Sequence, residues 1–85
     1  MDEYAQLRTL LDLAEAAGIA IRRAPADDDH PGGAMVRLGG REILFLDPAA
    51  SVADRIAVAA AALKGRPDIE GRFLPPKVRR LIDGY

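Results

Sequence analysis

The feature that most constrains this chain is the pair of glycines Gly39-Gly40, which lies between two apolar runs. The flanking residues, 34–38 and 41–46, are rich in strand-forming side chains, so the pattern predicts a β-hairpin. A two-residue Gly-Gly connection is typical of a type I′ turn, which needs positive φ at both central positions. The register that follows pairs Leu38 with Arg41, Arg37 with Glu42, Val36 with Ile43, Met35 with Leu44 and Ala34 with Phe45.

Side chains alternate along the two strands, and this alternation gives the hairpin two faces that are both apolar. One face, which we expect the helices to cover, carries Val36, Leu38, Ile43 and Phe45. The opposite face carries Met35, Leu44, Leu46 and a cross-strand ion pair between Arg37 and Glu42. In a simple two-layer domain, the face of the sheet away from the helices is polar and exposed to solvent. We therefore predict that Met35, Leu44 and Leu46 form an interaction surface, covered either by the C-terminal tail or by a partner or second copy.

A helix and a short strand are predicted before the hairpin. Asp2 is a suitable N-cap, and leucines recur at helical spacing until Gly18, which is suited to the left-handed position after a helix. Residues 19–24 then alternate as a half-buried strand, which Pro25 closes because proline cannot donate to a sheet ladder. The chain thus begins with a helix followed by a strand.

Two further helices are predicted after the hairpin. Ser51 with Asp54 resembles a capping box and begins an alanine-rich helix over residues 52–64. Residues 68–74 are expected to be irregular or to form a single turn. Pro76 suits the first turn of a short C-terminal helix.

These elements predict one α+β domain over residues 1–85, of which residues 66–85 are an irregular segment and a short C-terminal helix. We expect a three-stranded, mainly antiparallel sheet with the most apolar strand, 41–46, in the centre. The order is then 1-3-2, with the meander 1-2-3 as the alternative. A domain of 85 residues has a stability of about 5 kcal/mol or slightly more.

The composition excludes several classes of protein. The chain has no cysteine, so it forms no disulfide framework and no thiolate metal site. No signal peptide is recognisable, and no apolar run approaches the ~20 residues of a membrane span. We expect a cytoplasmic protein without membrane contact.

Charge is unevenly distributed along the chain. Residues 1–60 hold six basic and ten acidic residues, a net charge of −4, whereas residues 61–85 hold six basic and three acidic residues, a net charge of +3. The basic residues of this last segment are Lys64, Arg66, Arg72, Lys77, Arg79 and Arg80. Such a surface can contact nucleic acid, an acidic partner or the protein's own body. The acidic overall balance and the lack of interleaved aromatic residues argue against nucleic acid.

No group of residues indicates catalysis. The only serine, Ser51, is expected to cap a helix, and no base is evident beside it. The loop over residues 26–33 has three aspartates and the only histidine, His30. Adjacent carboxylates diverge, so we interpret it as a solvated acidic loop rather than a cation site. We predict no catalytic residue, no cofactor and no metal.

Residues 32–64 resemble the core of ImmA/IrrE-type zinc peptidases. The resemblance lies in a glycine-led strand, a tight turn, a strand ending at Asp47-Pro48, and a helix containing Arg55-Ile56. That family carries HExxH on the corresponding helix, whereas this chain has Ala60, Ala61, Ala62, Leu63 and Lys64 in those positions. The resemblance therefore implies a zincin-like core without peptidase chemistry. The whole chain, including the closing LPPKVRRLI, is also similar to small uncharacterised bacterial proteins.

The sequence thus favours a small non-catalytic interaction or assembly module that associates with itself through the outer face of the sheet. One alternative is nucleic-acid or acidic-partner binding through the basic C-terminal segment. The other is a degenerate zincin-like remnant without peptidase activity.

Overall fold

The computed structural model describes residues 1–84. A three-stranded sheet is at the centre of the fold. The strands are β1, Ala20–Arg23; β2, Gly33–Leu38; and β3, Arg41–Leu46. Their order is β1-β3-β2, with β1 parallel and β2 antiparallel to β3. The predicted order 1-3-2 and the α+β class are confirmed, and the sheet is mixed because one of its two pairings is parallel.

The hairpin has the predicted register at every position from Ala34 to Phe45. Gly39 and Gly40 both have positive φ, +55° and +81°, which suits the two-residue turn. The turn therefore determines the pairing of β2 with β3.

Four helices accompany the sheet: α1, Glu3–Ala16; α2, Val52–Leu63; α3, Pro67–Glu70; and α4, Pro76–Asp83. The predicted caps are confirmed: Ala5 N–H donates to the Asp2 carboxylate over 2.7 Å, and Asp54 N–H donates to Ser51 Oγ over 3.1 Å. Pro76 is the first residue of α4, where its missing N–H has no cost.

Helices α1 and α2 pack side by side, and α4 packs against both of them. The helix α1 contacts β1, while α2 contacts β2 and β3. The core between these elements is aliphatic, and its largest fully buried side chains are Leu10, Ile19, Leu44, Leu63, Ile69, Val78 and Ile82. One face of the sheet is therefore covered by α1 and α2.

The covered face is the one that carries Met35, Leu44 and Leu46, so the predicted assignment of the two faces is wrong. Leu44 is fully buried, Leu46 is 7% exposed, and Met35 packs against the same core. Leu44 and Leu46 belong to the core rather than to an interaction surface, and Met35 packs beside them on the edge strand β2. The C-terminal tail is not the main cover, since α4 packs chiefly against the two helices.

The physical reason lies in the register of the parallel pair. Ile21 lies opposite Leu44, and Arg22 lies opposite Phe45. Ile19 and Ile21 share a face of β1, and Ile19, just after α1, is 2% exposed. Burying these two isoleucines under α1 places Leu44 on the same covered face. A shift of one residue in this pairing would have exchanged the faces.

The molecule is flat, with extents of 33 × 32 × 18 Å. The short dimension is that of one helix layer on one sheet layer, since helices and sheets pack with their axes about 10 Å apart. Within residues 1–84, no helix is long and apolar enough to cross a membrane.

Candidate functional site

The surface of the sheet away from the helices, here called the outer sheet face, carries several apolar side chains that the helices do not cover. Its members are Ala20 and Arg22 on β1, Ala34, Val36 and Leu38 on β2, and Arg41, Ile43 and Phe45 on β3. The side chain of Leu38 is 59% exposed, and Val36, Ile43 and Phe45 are each partly exposed. A monomer rarely leaves several neighbouring large apolar side chains open to water.

The two charged members of the outer sheet face lie at its ends. Arg41 follows the hairpin turn, and Arg22 is next to Phe45 near the other end of the strands. Both are exposed. The row between them, formed by Ala20, Ile43 and Val36, is uncharged. The face therefore has an apolar centre with an arginine at each of two ends, and the loop residues Asp27 and His30 lie beside Ala34 and Phe45.

A groove of about 930 Å³ runs between the edge strand β2 and the helix α2. Its apolar part is formed by Met35, Val58, Ala61 and Ala62. In a hairpin with a two-residue turn, alternate residues point their backbone N–H and C=O groups away from the partner strand. Met35 and Arg37 are those residues on β2, so this edge has the geometry to pair with an extended segment.

One end of the groove is closed by an ion-pair network centred on Glu42. Arg37 Nε lies 3.3 Å from the Glu42 carboxylate, which confirms the predicted cross-strand pair. Arg66 Nη1 lies closer, at 2.6 Å, and Arg66 also contacts Asp68 at 3.3 Å. Only 16% of the Arg66 side chain is exposed. This pair ties the segment after α2 to the hairpin.

The pair between Arg66 and Glu42 predicts a pH dependence of stability. The hydrogen bond from Arg66 holds the pKa of Glu42 below its usual 4.5. The stabilisation of the folded state by this ion pair is therefore fully present above the unfolded-state pKa of Glu42. It is lost as the pH falls through the lower folded-state pKa. Glu42→Gln should lower the free energy of unfolding at neutral pH, and the deficit should become smaller as the pH falls below the unfolded-state pKa.

Urea denaturation of both proteins at roughly pH 7 and roughly pH 3 checks this dependence. Glu15→Gln is the matched control, because the carboxylate of Glu15 pairs with Arg8 on an exposed helix surface. Such pairs contribute little. An equal deficit for Glu42→Gln at both pH values would contradict the prediction.

The basic residues of the C-terminal segment do not form one open surface. Arg66 is paired with Glu42, and Arg79 donates to the Arg72 carbonyl over 2.6 Å and lies 3.8 Å from Glu70. Lys77 and Arg80 are exposed on α4. The positive charge of this segment is thus partly neutralised by its own carboxylates.

The acidic loop is held together locally. The Asp27 carboxylate lies 2.9 Å from His30 Nδ1, and both side chains are more than half exposed. The hydrogen bond with His30 lowers the pKa of Asp27. Within residues 1–84, no group of three or more His, Cys, Asp or Glu side chains is arranged to hold a metal ion.

The positions matched to the zinc-peptidase motif lie on the last turns of α2. Ala61, Ala62 and Lys64 line the groove, whereas Ala60 and Leu63 are fully buried in the core. Searches with this chain against protein-family models, curated proteins and solved structures return no match.

Proposed function

We propose that this chain is a small non-catalytic interaction module that associates with a second copy of itself through the outer sheet face. The main support for the proposal is that the helices cover only one face of the sheet. Helices α1 and α2 bury Leu44 and Leu46, while the opposite face keeps Val36, Leu38, Ile43 and Phe45 in contact with water. Burying such side chains is favourable by roughly 25 cal/mol per Å² of apolar surface.

A second copy suits this face in shape and size. Two sheets can pack face to face about 10 Å apart, with their inner side chains interdigitated. The outer sheet face is one part of the broad side of the molecule, which measures 33 × 32 Å. A standard interface of ~800 Å² per partner would therefore include residues around the sheet as well as the sheet itself. A two-fold axis through the centre of the face would place the uncharged row against itself.

The charges on the face are compatible with this arrangement. Arg22 and Arg41 lie at the ends of the apolar row rather than at its centre. A long arginine side chain can cover apolar surface with its methylene groups while its guanidinium group stays in water. The two arginines therefore form a solvated rim around the buried centre, as in many interfaces.

The experiment is size-exclusion chromatography with light scattering on the intact chain and on Ile43→Asp. We expect the intact chain to have about twice its monomer mass of 9.1 kDa, and the variant to be a folded monomer. A carboxylate in the middle of the face would lose its hydration on association, which costs several kcal/mol. This cost weakens the dimer by a factor of about 100 or more.

Phe73→Asp is the matched control, because it makes a similar change in polarity away from the sheet. Phe73 is 93% exposed in the segment between α3 and α4. We expect this variant to remain a dimer. A monomeric intact chain at micromolar concentration, or a dimer that Ile43→Asp leaves intact, would exclude the proposed interface.

A further inference from the structure

A small pocket lies where the carboxyl ends of β1 and β3 meet α1 and the beginning of α2. It has a volume of about 400 Å³. Its apolar lining consists of Leu11, Ile21, Leu46 and Pro48, and its polar lining consists of Arg22, Arg23 and Arg55. The side chains of three arginines thus contribute to the wall of one mainly apolar depression, here called the arginine pocket.

The arginines of this pocket have no carboxylate partners among residues 1–84. Within this described range, Arg22 donates only to the backbone carbonyl of Ile21, over 2.9 Å, and no ion pair involves Arg23 or Arg55. The Nε–H group of Arg55 is shielded from solvent and has no acceptor among the described residues. Leaving a buried charged donor without an acceptor is costly. Arg8 and Arg66, by contrast, each contact two carboxylates.

The neighbouring carboxylate, Asp47, does not complete the site. One of its oxygens accepts the Ala49 N–H over 2.9 Å, and the other accepts the Ala26 N–H over 3.1 Å. These bonds hold the Asp47 carboxylate against the backbone of its own loop. Asp47 interacts electrostatically with Arg55, but it forms no hydrogen bond with the Arg55 guanidinium group. The pocket therefore keeps a net positive charge.

We propose that the arginine pocket binds a small organic anion, a carboxylate or phosphate ester that carries an apolar group. Guanidinium groups present forks of N–H donors that match the oxygens of both kinds of anion. Leu11, Ile21 and Leu46 would contact the apolar group. The volume is at the lower end of that of small-molecule sites, so the ligand is a metabolite-sized molecule.

This site is separate from the proposed dimer interface. Arg23 and Leu46 belong to the covered face of the sheet, because they lie opposite each other in register with Ile21 and Leu44. Arg55 is on α2. Only Arg22 is shared with the outer sheet face, so it is left unchanged in the test. Loss of anion binding and loss of association can then be observed independently.

The test is an NMR titration of the ¹⁵N-labelled chain with octanoate, with octyl phosphate and with inorganic phosphate. We expect saturable shifts of the Arg55 Nε–H signal and of the amides around Leu46 with at least one of the two octyl compounds. Inorganic phosphate lacks the apolar group and should bind about tenfold more weakly or worse. The preferred head group then shows whether the ligand is a carboxylate or a phosphate ester.

Arg23→Gln and Arg55→Gln should each weaken that binding by about tenfold or more, because each removes charge-assisted hydrogen bonds. Arg41→Gln is the matched control and should bind as the unchanged chain does, since Arg41 lies at the hairpin end of the sheet. Arg23 is exposed, so its variant should fold even if Arg55→Gln does not. The absence of saturable shifts with both octyl compounds would overturn the proposal. Equal affinity in Arg23→Gln, or equal affinity for inorganic phosphate, would also overturn it.

Discussion

Leu44→Asp is expected to leave the chain unfolded at neutral pH. Leu44 is fully buried at the centre of β3, between Met35 and Ile21 of the neighbouring strands. Shortening a buried leucine to alanine alone costs about 2–5 kcal/mol. An unpaired carboxylate at the same place adds a desolvation penalty of several kcal/mol. Together these terms exceed the ~5 kcal/mol that stabilises a domain of this size.

Circular dichroism and urea denaturation of Leu44→Asp measure this effect, with Ile43→Asp as the neighbouring control. Ile43 is partly exposed on the outer sheet face. Aspartate there loses some apolar contact and is a poor strand former, which costs about 1–2 kcal/mol. We expect Ile43→Asp to fold. A folded Leu44→Asp together with an unfolded Ile43→Asp would mean that the helices cover the opposite face.

Gly33→Ala is expected to destabilise the protein by about 3 kcal/mol or more, because two independent effects oppose a side chain there. The backbone of Gly33 has φ of +139°, which side-chain-bearing residues rarely adopt. A Cβ atom at this position would also lie 1.9 Å from the backbone oxygen of Phe45. Since that oxygen belongs to the central strand, it cannot move without disturbing the sheet.

The melting temperature and urea midpoint of Gly33→Ala should be compared with those of Gly39→Ala. Gly39 also has positive φ, +55°, but a Cβ atom there meets nothing within 4 Å. Only the conformational cost of about 1 kcal/mol remains at that position. Similar losses in the two variants would mean that the backbones of β2 and β3 are not in close contact at Gly33.

Local patterns along the chain were sufficient to predict the elements and most of their pairing. Asp2 and Ser51 cap helices as expected because a capping bond depends on residues three positions apart. The hairpin register depends only on the two-residue turn at Gly39-Gly40. Small differences occur at the ends, where α2 ends at Leu63, one residue earlier than predicted. These features involve short sequence separations.

Features that depend on distant parts of the chain were not predictable in the same way. The contact between Arg66 and Glu42 joins residues 24 positions apart, and no local pattern indicates it. The arginine pocket brings together β1 and α2, and no sequence pattern places Arg23 near Arg55. The one signal for Arg23 is its position two residues after Ile21, which places both side chains on the same face of β1.

The sequence by itself therefore determined which residues form helices and strands, and which side chains of the hairpin share a face. Only the tertiary structure decided which of the two apolar faces is buried. Alternation makes both faces of the hairpin equally suitable for a core, so the choice depends on the pairing of Ile21 with Leu44 across the parallel strands. Once α1 and α2 bury that side, Val36, Ile43 and Phe45 are left as the surface available to a partner.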